Sequence, residues 1–366
     1  MKTIGKFIKK EIIFTVSALL AVATMIAVPP TIQYVNYIDF SVLGILFSLM
    51  ATVGGLQKSG AFDLLSGKLL CIGRSSRGVS LILVCLCFFT SMLITNDVAL
   101  STFVPLTIYL SENKDSNAFI YVIVLETIAA NLGSLVTPIG NPQNLFLFHY
   151  YGLQVGEFLQ ITIPLGITGF VLIVCAAFFS GKTKWKDGAG VSFRGSHRGG
   201  VLKYGILFLI CILTVFQVIN PGFCVLITVG MLLATDRGVL RMVDYLLLLT
   251  FLNFFIIVGN LAQLDQIKEL IGTAIQGQVL LWGVATSQII SNVPAAVLLA
   301  PFTGAFRELI LGVNIGGLGT LVASMASIIS FKYYSMIEKA KNGRYLLIFT
   351  GMNLVYLGVF LLIFLK

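Results

Sequence analysis

The stretch Asn131-Leu132-Gly133-Ser134-Leu135-Val136-Thr137-Pro138-Ile139-Gly140-Asn141-Pro142-Gln143-Asn144 lies inside an apolar run from 118 to 150. Pro138 and Pro142 each remove a backbone donor, and Gly140 loosens the chain between them, so a continuous helix is not expected. Yet the run is longer than the roughly 20 apolar residues that a bilayer-spanning helix needs. Polar backbone at membrane depth is tolerated only where it is buried in protein or lines a watery cavity. The stretch therefore reads as a spanning element broken partway through. Its opened carbonyls suit a cation, and the N-terminus of the half-helix that follows suits an anion. Thr137, Asn141 and Asn144 add side-chain donors and acceptors.

The rest of the chain has a membrane protein's composition. Of 366 residues, 57% are hydrophobic and 11% charged, where soluble domains carry about 25% charged residues. So few charges exclude a soluble fold, and so apolar a chain excludes disorder. Further spans are expected at 12–29, 38–56, 157–180, 204–219, 222–235, 243–262, 308–331 and 345–365. Two stretches, 79–111 and 278–305, are apolar but broken halfway by polar residues. Each is expected to enter the membrane and return on the same side as a hairpin, with interfacial helices at 59–72 and 263–276 leading in. With the N-terminus inside, 21 of 24 basic residues fall in inside segments, and only Lys268, Arg307 and Lys366 fall outside. Cytoplasmic loops concentrate Lys and Arg in this way. The net charge of +9 thus reports topology, and no nucleic-acid partner is expected. The same count puts the first hairpin on the inside face and the second on the outside face.

Residues 1–11 with the apolar run after them resemble a signal peptide, but an uncleaved first span is the simpler reading with a whole membrane protein downstream. The six cysteines form no CxxC pair and are expected to pack as small apolar residues, without a disulfide framework or metal. His149 and His197 stand alone in loops and are expected to be solvated. No HExxH, GxSxG or phosphate-binding loop is present, so no enzyme is expected.

Two halves of the chain read alike. Val35-Asn36-Tyr37-Ile38-Asp39 and Arg241-Met242-Val243-Asp244-Tyr245 open them. Ser91-Met92-Leu93-Ile94-Thr95-Asn96-Asp97 then matches Ser287-Gln288-Ile289-Ile290-Ser291-Asn292-Val293. Pro105 and Pro301 follow, and Asn131–Thr137 matches Asn314–Thr320. Duplicated halves of opposite membrane orientation are the build of many secondary transporters, with substrate held near the midplane on discontinuous helices. The segments expected are 1–34 as an N-terminal span, 35–180 as a first repeat, and 181–203 as a basic cytoplasmic loop. Connecting spans fill 204–242, and 243–366 forms a second repeat.

Within this frame an ionisable Asp97 in a lipid-depth stretch costs about 2.5–3.5 kcal/mol. It is either a cation or proton site or the partner of a cation, and no Lys or Arg falls inside a predicted span. The second tip lacks the acid, so the two sites should not be equivalent. The second broken stretch, 314–327, has glycines at 316, 317 and 319 but no proline, and is expected to break less sharply. Glu126 is a candidate for proton coupling, or a protonated bond to a neighbouring helix. Asp39 and Asp244 read as helix starts.

Thr95-Asn96-Asp97-Val98-Ala99-Leu100, the Thr137–Asn144 run and Ser291-Asn292-Val293-Pro294 together resemble the ion transporter superfamily. That group holds divalent anion:sodium symporters, citrate transporters, arsenite permeases and sodium/proton antiporters. The resemblance spans about residue 35 to the end. It implies an all-α polytopic membrane protein of inverted-topology repeats, a homodimer whose protomers pair a scaffold with an elevator-type transport domain. The symporters carry Ser-Asn-Thr at each hairpin tip. Here both asparagines are kept and both terminal threonines are missing, and the Asn-Asp of the first tip is closer to the arsenite permeases. Substrate is assigned to Asn96, Asp97, Thr137, Asn141, Asn292, Thr320 and Ser324. The coupling ion, sodium or a proton, is assigned to Thr95, Asn96, Asp97, Gly140, Ser291, Asn292 and Ala323. The expected function is secondary active transport of a small carboxylate or inorganic oxyanion across the plasma membrane, with no cofactor beyond the coupling ion. Arsenite-permease-like efflux, sodium/proton antiport and an anion channel are the alternatives.

Overall fold

A computed structural model describes residues 11–70, 75–181, 183–185, 198–338 and 340–365. The lysines of the N-terminal tail, Cys71, Arg74, His197 and most of the basic loop lie outside the described residues. Those described form an all-α polytopic membrane protein. Among the described residues are 17 α-helices, five of them long and apolar enough to cross a bilayer.

Helix α1 (Ile12–Ala27) precedes a first series. This contains α2 (Phe40–Lys58), α3 (Ala61–Leu70), α4 (Ser76–Ser91), α5 (Asn96–Leu110), α6 (Asn117–Ser134), α7 (Pro142–Tyr150) and α8 (Val155–Phe178). Helices α9 (Arg198–Val215) and α10 (Pro221–Thr235) connect to a second series. This contains α11 (Tyr245–Ala262), α12 (Asp265–Ile275), α13 (Val279–Ile290), α14 (Asn292–Leu299), α15 (Phe306–Gly316), α16 (Met325–Ser335) and α17 (Asn342–Phe364). Both series run in one order: long helix, short helix, helix-turn-helix, two half-helices, long helix. Asp39 and Asp244 open them as N-caps, accepting from Val42 N and Leu247 N, each at 3.0 Å. The side-chain oxygen satisfies an amide that the first turn leaves unpaired.

The start of each opening helix lies on the end of the other. A Cβ added at Gly259 of α11 would come 2.3 Å from the Tyr37 ring, and one at Gly54 of α2 would come 3.1 Å from Met242 Cβ. Helices α2 and α11 are therefore antiparallel. Helix α1 instead runs parallel to α11, with Asn253 donating to Ser17 at 3.1 Å and Asn260 to Thr24 at 3.1 Å.

Two groups of helices result. Helices α9 and α10 pack on α2, and α1 packs on α11. Lys58 at the end of α2 clamps Asp236 at the end of α10, with both oxygens 2.8 Å away. The second group is built around the broken elements. Helix α4 packs on α6 and α13 on α15, while α5 crosses to α16 and α14 crosses to α7. Glycine permits the two within-series crossings. A Cβ on Gly133 would come 2.4 Å from Ser91 Oγ, and one on Gly316 would come 2.8 Å from Ser287 Oγ.

Two expectations need correction. The stretch 314–327 opens as fully as its mirror, for seven residues separate α6 from α7 and eight separate α15 from α16. Proline is not required because Gln288 takes over the helical partners, as described below. His149 sits in the last turn of α7 rather than in a loop, 28% exposed and 3.7 Å from Asp39.

Candidate functional site

Each half-helix break is held open by the hairpin of its own series. In the first, α6 ends at Ser134, and Pro142 starts α7 at a position where its missing N–H has no helical partner to lose. Asn141 caps α7 by accepting from Asn144 N at 2.9 Å. Gly140 lies against the Ser134 carbonyl, where a Cβ would come within 2.2 Å of the oxygen. In the second, the Gln288 amide donates to Gly316 O at 2.7 Å and Leu318 O at 2.8 Å, and its oxygen accepts from Thr320 N at 2.8 Å. One side chain thus replaces three backbone partners. Gly319, at φ +109°, supplies the reversal that a residue with a Cβ would resist.

The tips dock on these breaks. Asn96 N donates to Gly140 O at 3.3 Å, and Thr137 Oγ1 donates to Met92 O. At the second tip Ser291 Oγ donates to Ala323 O at 3.4 Å, and Thr320 Oγ1 donates to Gln288 O at 3.2 Å. Ser291 has φ 77° and ψ 154°, a region that costs a non-glycine residue about 1–3 kcal/mol.

Between tips and breaks runs one buried network drawn from both series. Asn131 Oδ1 accepts from Asn96 Nδ2 at 3.0 Å and from Ser324 Oγ at 3.0 Å, and its amide donates to Ser327 Oγ at 3.4 Å. Asn314 Oδ1 accepts from Asn141 Nδ2 at 3.4 Å, and its amide donates to Asn144 Oδ1 at 2.7 Å. Ser134 joins the two, accepting from Asn141 at 3.3 Å and donating to Asn131 O at 2.9 Å. In the alignment of the halves Asn131 answers Asn314, Ser324 answers Asn141, and Ser327 answers Asn144. Each asparagine therefore grips the equivalent pair of positions in the opposite series. Asn96, Asn141 and Ser324 bring the N-termini of α5, α7 and α16 to this network. Asn131, Ser134 and Asn314 bring the C-terminal turns of α6 and α15. Helix N-termini favour negative charge and C-termini favour positive charge, so the site can hold an anion and a cation together.

Of the residues assigned from sequence, Asn96, Asn141 and Ser324 lie in the network. Gly140 and Ala323 contribute the carbonyls on which the tips dock, and Ser291 and Asn292 form the second tip, with Asn292 Nδ2 against Gly317. Thr137 and Thr320 stand outside the network, their hydroxyls committed to hairpin carbonyls, and Thr320 is exposed. Thr95 and Asp97 line a cavity of about 130 Å³ with Gln57, Asn141, Met242 and Asp244. One Asp97 oxygen, Oδ1, is buried without a hydrogen-bond partner. A second cavity of about 180 Å³ shares Asp244 and Leu247 with it and reaches Val293 and Pro294 of the other tip. Glu126 lies beneath, fully buried, with Thr107 Oγ1 of α5 donating to it at 2.5 Å. Ser134, Gln288 and Ser327 were not singled out from sequence. The recurrence of Asn131 and Asn314 pointed to their surroundings, whereas nothing in an apolar helix arm marks Gln288.

The sequence profile of the citrate transporter family matches residues 6–308. An uncharacterized transporter of Methanocaldococcus jannaschii is 33% identical over 86% of both chains. The inner membrane protein YbiR of Escherichia coli is 33% identical over 81% of this chain and 80% of its own. A silicon efflux transporter of rice, LSI3, is 30% identical over 36% of this chain and 27% of its own.

Proposed function

Because the chain belongs to the citrate transporter family, we propose that it is a secondary active transporter that carries a small oxyanion together with sodium or protons. The observation that carries this is the single network in which both series contribute helix N-termini, helix C-termini and neutral amides. Citrate, in the family's name, is a small oxygen-rich anion, which amides and hydroxyls recognise by hydrogen bonding. Substrate would sit against Asn96, Asn141, Asn292 and Ser324. The cation would sit at the tips, with Asp97 its one charged ligand.

In this reading the two series are inverted-topology repeats within the plasma membrane, the N-terminus is cytoplasmic, and 79–111 and 278–305 are re-entrant. The group holding the broken elements moves as an elevator against α1, α2 and α9–α11, in a homodimer. The two cavities lie on that sliding boundary, since both are lined by Asp244 of the stationary part, the first with Asp97 and the second with Val293 and Pro294 of the moving part.

A second reading rests on the walls of the cavities. Asp97 and Asp244 line the first, Glu11 and Asp244 the second, and among the described residues no basic side chain lines either, which suits an uncharged oxyacid exchanged for a cation, as in arsenite-permease-like efflux or sodium/proton antiport. Thermal unfolding of the detergent-solubilised protein separates the two, because a ligand that binds only the folded state raises Tm. Citrate, phosphate, silicate and arsenite are each tested with and without sodium, at acid and neutral pH. The main reading predicts stabilisation by an anion that sodium or acid pH enhances. Stabilisation by a neutral oxyacid alone would favour the second reading, and no stabilisation by any of them would count against both.

A further inference from the structure

Far from the network, helices α2, α9 and α10 bring their buried polar side chains to one point. Cys211 of α9 and Cys224 of α10 are both 0% exposed, and the Cys224 thiol donates to Cys211 Sγ at 3.7 Å. Four hydroxyls surround them: Ser48 and Thr52, one turn apart on α2, Thr214 on α9 and Thr228 on α10. Thr52 Oγ1 lies 3.6 Å from Cys211 Sγ, while Ser48, Thr214 and Thr228 face the Cys224 sulfur. Gly44 lets α10 close on α2, since a Cβ there would come 2.8 Å from Val225.

Two of the hydroxyls are not spent in the usual way. A Ser or Thr inside a helix can satisfy itself on the carbonyl one turn back, as Ser80 does on Ser76 O at 3.1 Å and Thr250 on Leu246 O at 2.7 Å. Ser48 Oγ and Thr228 Oγ1 are buried and have no partner at all. Burying an unpaired hydroxyl is unfavourable, so two of them beside one pair of sulfurs mark a place that a further partner fits. Spacing, donor type and charge identify it. Zinc–sulfur bonds of about 2.3 Å at the tetrahedral angle put two sulfurs about 3.8 Å apart, against 3.7 Å here. Thiolates select soft ions over magnesium or calcium, and two sulfurs with two oxygens make a fourfold set. Two thiolates also cancel a divalent ion, leaving no net charge in a buried place where one would be costly. Among the described residues no three His, Cys, Asp or Glu side chains converge, so the hydroxyls complete the set.

We propose that Ser48, Cys211, Cys224 and Thr228 form a site for a zinc-class divalent ion. Cys211 lies four residues before the end of α9 and Cys224 three residues after the start of α10. The site is therefore about one helical turn below the connection 216–220, where Val218 is 70% exposed, and this gives the ion its way in. As it binds, two S–H bonds break, two metal–sulfur bonds form and two protons leave to water. The filled site ties α2, α9 and α10 together toward the end opposite the Lys58–Asp236 clamp.

The test titrates Cd²⁺, a zinc surrogate whose bond to thiolate absorbs in the ultraviolet, into the reduced, metal-free full chain in lipid nanodiscs. The expected result is one Cd²⁺ per chain, displaced by Zn²⁺, with an affinity that rises with pH. Cys211→Ser and Cys224→Ser should each abolish the band, and Ser48→Ala with Thr228→Ala should weaken binding tenfold or more. On the unmutated chain, Zn²⁺ should slow alkylation of Cys211 and Cys224 tenfold or more, read by mass spectrometry, so the site is tested even if a serine variant does not fold. No band, a band that survives either serine variant, or alkylation indifferent to Zn²⁺ overturns the site. Unchanged affinity in the hydroxyl variant overturns the oxygen ligands. Recovery of the two cysteines from the membrane as a disulfide would make the pair a cross-link instead and would equally overturn it. None of these readouts needs a substrate, so failure here is distinct from failure of the transport reading.

Discussion

The two hairpin tips do the same structural job with different chemistry. Both dock on the break of their own series, and in both a threonine from the break (Thr137 or Thr320) bonds a carbonyl of the hairpin. The first tip takes an ordinary extended residue at Thr95, φ −61°, and follows Asn96 with an acid. The second forces Ser291 to φ 77° and follows Asn292 with valine. The first break is made by proline, the second by Gln288 and glycine. Geometry is therefore kept by symmetry, while charge and strain are divided between the tips: the acid at one, the stored conformational cost at the other.

If the halves are equivalent in structure, Asn131→Ala and Asn314→Ala should be equally severe. Each leaves buried partners unsatisfied, at about 1–3 kcal/mol per group, and each should abolish transport in liposomes and lower Tm by several degrees. A large effect from only one would break the symmetry. If the halves differ in chemistry, Asp97→Asn should flatten the sodium or pH dependence of transport and leave expression unchanged. Flux that keeps its cation dependence would remove Asp97 from coupling. Ser291→Gly should raise stability by up to about 1–3 kcal/mol in thermal unfolding as the strain is relieved, whereas Thr95→Gly should lower or not change it. Equal responses would show that the strain at the second tip is not real.

The smallest effect belongs to the group of helices around α2 and α11. Lys58 beside Asp236 holds that carboxyl below its ordinary value. The pair's contribution is therefore complete above the normal aspartate range and is lost as pH falls through the lowered value. Asp236→Asn should cost less than about 1 kcal/mol near neutral pH, as exposed pairs do, and should abolish that part of the acid sensitivity of Tm.

Much of this arrangement was legible beforehand because membrane depth makes polar residues conspicuous. Pro138, Pro142 and Gly140 announced the first break, and Asp39 and Asp244 announced two helix starts. The second break was underestimated because a glutamine 28 residues before Gly316 opens it, and no local pattern carries such a contact. The reach of Asn131 to Ser324 and of Asn314 to Asn141 was hidden for the same reason. Sequence shows that two segments are alike, while only folding shows that each grips the other. His149 was misplaced in a loop although it lies inside the apolar run to 150, which α7 follows to Tyr150.

The most direct measurement is accumulation of a labelled oxyanion, identified by the stability screen, in liposomes under an imposed sodium or proton gradient. The account predicts that the label rises above the outside concentration, collapses when the gradient is dissipated, and fails to rise at all with Asn131→Ala. Label that only equilibrates, whatever gradient is applied, would mean the network lines a passive pore and would contradict it.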